Sequence, residues 1–376
     1  LDETSNAAAS SIDRVQPSGF AARHSELEGL IWCAASSPDL TMLKLAAVLF
    51  PLALAPALGA TVALDTKGAE AWIACTEAAR PAADCNAASA ATEGGVLAEL
   101  AIPTFGTLPK DHPADPTAAD AKALLEEIKH WPLDSLTSEI SALFPRLRPH
   151  TARVFIVGSG AHDWADAYVR NYRFNAGKPA LDDNGEPIIL INLRLMAKYK
   201  DTTAERAAIV RDILRHELFH IHFAWARAAN PHWTARLPLK PEQDLMLSVE
   251  DEGIAHFLAN EEQWRAKGFP RDRADKALAD LTAAVQAVEA GKATEELLLA
   301  ANQGPFWDKY GSISGALFAY GIDKVFGTTG LKVCLDRGPA AFILKYDEAS
   351  RSDPGLPPLP AALKLWAERQ AAQMTF

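Results

Sequence analysis

Residues 203–229 contain no proline or glycine, and their apolar positions recur at helical spacing. At 100° per residue, Ile209, Ile213, His216, His220 and Phe223 share one face. Val210, Leu214, Leu218, Ile221 and Trp225 form a second apolar face. Arg211, Arg215 and His222 are left to mark a wet edge, which makes His222 a surface histidine. A helix apolar on most sides is expected to be buried. A second helical segment follows, in which Leu245, Val249, Glu252, His256 and Ala259 share a face and Glu250 points nearly the opposite way.

Other periods read differently. Residues 153–158 and 188–192 are short, almost continuous apolar runs, as expected of buried strands. The turn signal Asp182-Asp-Asn-Gly-Glu-Pro187 leads into the second run. Whether that strand lies at the sheet edge, where extended substrate could pair, is open. Residues 165–170 fit strand or helix. Gly158-Ser-Gly160 has no Lys-Ser/Thr after it and reads as a turn rather than a phosphate loop. Helices are expected near 66–80, 117–130 and 135–143, with Pro103, Pro109, Pro113 and Pro116 interrupting the stretch between the first two. Later helices are expected at about 272–290, 294–301, 305–326, 339–348 and 359–371. Gly311, Ser314 and Gly315 would let a neighbouring helix come close.

The run from Met42 to Ala60 has one lysine, Lys44, a short apolar core and a small-residue end. That is the pattern of a secretory signal peptide. It is short for a membrane span and is interrupted by Pro51 and Pro56. The expectation is translation from Met42, a disordered upstream extension over 1–41, and a mature chain beginning near Thr61. The protein would then be exported, periplasmic or secreted, with no stable membrane span after cleavage. A buried apolar helix is the competing reading. Export would permit a disulfide between Cys75 and Cys85, with two free thiols the alternative.

Composition narrows the class. The 376 residues are 49% hydrophobic and 23% charged, enough for a sizeable core. A net charge of −11 argues against nucleic-acid binding through a basic face.

The buried-helix pattern contains His216-Glu217-x-x-His220. Residues four apart stack one turn above each other, so both imidazoles can reach one metal. Glu217 can then act as general base on the water such a metal activates. A pair of hydrogen-bonded core histidines is the bland alternative. A tetrahedral catalytic zinc needs a third protein ligand, and Glu250, Asp251, Glu252 and His256 are the downstream candidates.

HExxH followed on a later helix by Glu252-Gly-Ile-Ala255 resembles the gluzincin zinc metallopeptidases of the peptidase MA type, among their less characterised branches. The likeness covers roughly residues 153–346. The gap from His220 to Glu252 is longer than in the well-known aminopeptidases, and their Gly-x-Met-Glu-Asn motif is absent. The resemblance implies Zn2+ held by His216, His220 and Glu252, with Glu217 as the base. It implies a second electrophile from the C-terminal helices, for which Tyr310 is the candidate and Tyr320 and His256 the rivals. It also implies an α+β, zincin-like fold: a small mixed sheet packed on the HExxH helix, with a mostly helical C-terminal part. The chain then divides into a helical N-terminal region (61–150), a catalytic core (151–260) and a helical C-terminal region (261–376). The expected activity is hydrolysis of a peptide or protein substrate. A zinc hydrolase of another substrate and a non-catalytic binding protein are the alternatives. Cleavage specificity and oligomeric state are not legible.

Overall fold

The computed structural model describes residues 60–101, 117–147, 150–158, 167–182, 185–197, 202–230 and 239–373. The expected extension and signal segment lie outside these residues. The described chain is mixed α+β and mostly helical, with a five-stranded open sheet.

The sheet comprises β1 (Thr61–Asp65), β2 (Thr151–Val157), β3 (Ala167–Asn175), β4 (Lys178–Leu181) and β5 (Glu186–Asn192), in the order β1-β2-β5-β3-β4. β1, β2 and β5 run parallel, while β3 is antiparallel to β5 and to β4. The 188–192 run is therefore central, and β1 and β4 form the edges. Of the 165–170 segment, residues 167–170 belong to β3. The apolar runs are continuous because both faces of the central strands are covered. Val154, Ile156, Ile189 and Ile191 enter the main core. Phe155, Val157, Ile188 and Leu190 face the other way, onto Leu97, Ala98 and Ala101.

The N-terminal region supplies α1 (Lys67–Glu77), α2 (Ala82–Ala90), α3 (Glu93–Ala101), α4 (Ala118–Lys129) and α5 (Leu133–Ser141). It is more than a helical cover, because β1 extends the sheet. Cys75 and Cys85 are joined by a disulfide that ties α1 to α2. After β5 come the short α6 (Leu193–Met196) and the long α7 (Thr203–Ala228), followed by α8 (Pro241–Lys267). A capping box starts α7: the Thr202 hydroxyl accepts from the Glu205 amide, and the Glu205 carboxylate accepts from the Thr202 amide. Pro241 starts α8, where its missing N–H costs nothing. The C-terminal part holds α9 (Arg271–Glu289), α10 (Glu295–Leu299), a 3-10 turn at Phe306–Asp308, α11 (Tyr310–Arg337), α12 (Pro339–Ser352) and α13 (Ala361–Gln373). Gly327 breaks α11 with a φ of 64°.

Two placements position the site. α7 packs against β3, β5, α4, α5 and α8, and its residues 213–223 have no free side. α8 and α11 cross at Gly253 and Gly315. A Cβ on Gly253 would fall 2.3 Å from the Gly315 Cα, and one on Gly315 would fall 1.9 Å from the Val249 carbonyl oxygen. The glycine after Glu252 is thus required by the helix crossing. No helix among the described residues is long and apolar enough to cross a membrane.

Candidate metal centre

α7 and α8 bring His216, His220 and Glu252 together in the core. The two Nε2 atoms lie 3.0 Å apart. Glu252 offers one carboxylate oxygen 3.7 Å from the His216 Nε2 and the other 3.7 Å from the His220 Nε2. Two ligand atoms each about 2.0–2.1 Å from one tetrahedral ion would be about 3.3 Å apart. The three separations bracket that figure, and a donor set of two imidazoles and a carboxylate suits zinc.

The surroundings orient the ligands. His220 Nδ1 lies 2.8 Å from the Asp251 carboxylate, which fixes the ring so that Nε2 faces Glu252. Burial disfavours a charge on His220, but the Asp251 and Glu252 carboxylates outweigh it and hold the ring up at about 10. His216 goes the other way. Burial, His220, His256 and the Lys309 ammonium all drive it toward the neutral form. Zinc takes histidine in its neutral form, so an ion held here would compete with the proton that the two carboxylates favour on His220. Glu217, next to His216 on α7, is buried as well.

His256 sits one turn beyond Glu252 with its ring 4.8 Å from that of His216. Its Nδ1 donates to the Glu252 carbonyl at 2.8 Å. Tyr310 opens α11, but its hydroxyl donates to the Leu297 carbonyl at 2.7 Å. Burial also pushes that hydroxyl up to about 12. Tyr320 is further off, with its hydroxyl 3.9 Å from where a Cβ on Gly268, past the end of α8, would sit.

Several expectations need correction. His222 is fully buried, not a surface residue: its Nε2 is 2.9 Å from the Thr137 hydroxyl and its Nδ1 2.8 Å from His150 Nε2. Arg215 is buried too, donating to Glu261 and Glu139. Trp225, expected on an apolar face, is exposed and stacks on His150. α5, α8 and the chain at His150 cover α7 at Arg215 and His222, while Arg211 is exposed as the helical pattern expects. Glu250 does point away from the ligands, but into the interior beside Arg227, where burial pushes its carboxyl well up.

Sequence reasoning named Asp251 only as a candidate third ligand and gave no role to Lys309. Asp251 was visible only as part of an acidic run, since its partner is set by how α7 meets α8. Lys309, between Asp308 and Tyr310, has no exposed surface.

Residues 119–355 match the family described as "Putative zinc dependent peptidase (DUF5700)". The chain belongs to that family. The match spans more than half of the chain and includes α7, α8 and most of the C-terminal helices. Zinc is the metal that the family description and the buried His216, His220 and Glu252 group agree on. The family implies hydrolysis of a protein or peptide substrate. No curated protein and no solved structure matches the chain.

Proposed function

We propose that this is an exported zinc metallopeptidase of the gluzincin type, with His216, His220 and Glu252 as ligands and Glu217 as general base. The observation that carries the reading is the convergence of two Nε2 atoms 3.0 Å apart and one carboxylate 3.7 Å from each, on helices that bury all three residues. A zinc ion held there would polarise the scissile carbonyl and make water nucleophilic near neutral pH. Glu217 follows His216 about 100° round the helix, so it borders the ligands without joining them. Its carboxylate takes the proton of the attacking water and delivers it to the leaving nitrogen. Asp251 holds His220 in register, and Gly253 lets α11 close over α8. The Cys75–Cys85 disulfide supports export, since such bonds persist mainly in oxidising compartments.

Glu217→Gln tests the mechanism. It should leave zinc content unchanged and slow cleavage of a peptide library by at least about a hundredfold, the lower end for a lost proton-transfer group. A variant with zinc and full rate would contradict the reading.

A further inference from the structure

A cavity of about 300 Å³ lies at the end of α7, built from that helix, the turn at residues 144–147, Glu250 of α8 and the end of α11. None of the metal ligands lines it. Arg227, which does, stands seven residues past His220, about 10 Å along α7. Small-molecule sites run from roughly 300 to 1,000 Å³, so this space suits a compact ligand rather than a stretch of peptide. Phe144 and Phe223, with ring centroids 6.4 Å apart, and Leu335 give it apolar walls. Arg146 and Asp336, both exposed, pair across it at 3.2 Å and answer each other's charge.

Glu250 sets the chemistry of the cavity. It is 1% exposed, and among the described residues no group donates to its Oε1. A buried polar atom left unpaired is costly, and nearly all such atoms in folded proteins are satisfied. A carboxyl oxygen accepts in either protonation state, so a ligand that completes the cavity brings a donor. Arg227 adds a positive charge to the same wall, its guanidinium 5.4 Å over the Phe223 ring. It would repel a ligand that is only a cation, and it favours an acceptor at the ligand's other end. A guanidinium has five N–H donors to divide between such an acceptor and its partners in the protein. An acid and a base set among apolar walls suit a small zwitterion.

We propose that this cavity binds a free α-amino acid with an apolar side chain. Its ammonium donates to Glu250 Oε1, its carboxylate faces Arg227, and its side chain lies against Phe144, Phe223 and Leu335. No bond forms or breaks there. The site goes beyond the zinc-peptidase reading and does not depend on it, since it shares no residue with the metal centre.

The test is calorimetry on the full chain, zinc-loaded, as wild type, Glu250→Gln and Ala226→Trp. The probes are L-leucine, 3-methylbutylamine, which lacks the carboxylate, and 4-methylpentanoate, which lacks the ammonium. Wild type should bind leucine at least about tenfold more tightly than either analogue, the effect of one lost charge-assisted hydrogen bond. Glu250→Gln should weaken leucine binding by about 10- to 100-fold and leave 4-methylpentanoate binding and zinc content unchanged. Ala226 lines the cavity, so a tryptophan there should fill it and abolish leucine binding while zinc stays, which separates the cavity from an amino acid held on the metal. No leucine binding in wild type at millimolar concentration, an amine that binds as tightly as leucine, or leucine binding that survives Ala226→Trp would each overturn the proposal and leave the peptidase reading intact. A wild type that takes up no zinc would instead sink that reading, and the leucine comparison would still stand. If Glu250→Gln does not fold, Ala226→Trp and the two analogues decide.

Discussion

His220 and His222 stand two residues apart on α7, and both are buried. His220 faces the carboxylates of Asp251 and Glu252 across α8, and they hold its ring up at about 10 against the cost of burial. His222 faces Thr137 and His150, and burial together with His150 pushes it down to about 3. One residue type on one helix at similar depth thus acquires opposite protonation behaviour from its partners. Burial alone does not mark a functional histidine. Carboxylates converging on a second imidazole do.

The largest contrast should appear on removing each ring. His220→Ala should lose zinc and peptide cleavage together, beyond the roughly 10–100-fold loss in affinity typical of deleting an outer partner. Asp251→Asn removes such a partner, so its zinc affinity, measured by chelator competition, should fall by about 10–100-fold while the fold stays intact. An unchanged affinity would mean that His220 is oriented by packing alone.

The smallest effect belongs to His222→Gln, which should keep its zinc and lose about 1–3 kcal/mol of stability from disturbed buried hydrogen bonds. Its pH dependence sharpens the comparison. The folded pKa of about 3 lies below the unfolded value of about 6.5. Below pH 6.5 the unfolded chain therefore binds the extra proton, so stability falls as pH drops from about 6.5 toward about 3. Thermal melts at pH 7 and pH 5 should show a smaller acid-induced drop in Tm for His222→Gln than for wild type. Equal drops would assign the acid sensitivity elsewhere.

These two histidines also show what the sequence could and could not reveal. The 203–229 helix was readable because its apolar period runs unbroken by proline or glycine, and His216, Glu217 and His220 fall at fixed offsets on it. A helical wheel puts Glu252 and His256 on the same face as Leu245 and Val249, and only the resemblance of Glu252-Gly-Ile-Ala255 to the gluzincin segment singles out Glu252. His222 was misread because helical direction says which residues face apart, not what covers the second side. α7 packs against several elements, so α5 and His150 enclose His222, while Arg211 on the same edge stays exposed. Sheet order was not legible either: β1 and β2 pair across almost ninety residues of chain, and no local pattern encodes that partnership. Tyr310 opens a helix whose near face is small, but the Leu297 carbonyl that accepts its hydrogen bond belongs to another helix.

The central claim is that Glu252 completes the metal centre that His216 and His220 begin. Zinc per chain, measured at matched free zinc in wild type, Glu252→Gln and Glu250→Gln, tests it most directly. Glu250 is a close control: it lies two residues away, is also buried, and burial already drives its carboxyl toward the neutral form that an amide imitates. The account predicts about one zinc per chain in wild type and Glu250→Gln, with Glu252→Gln well below both. Zinc lost from Glu250→Gln and kept by Glu252→Gln would contradict it.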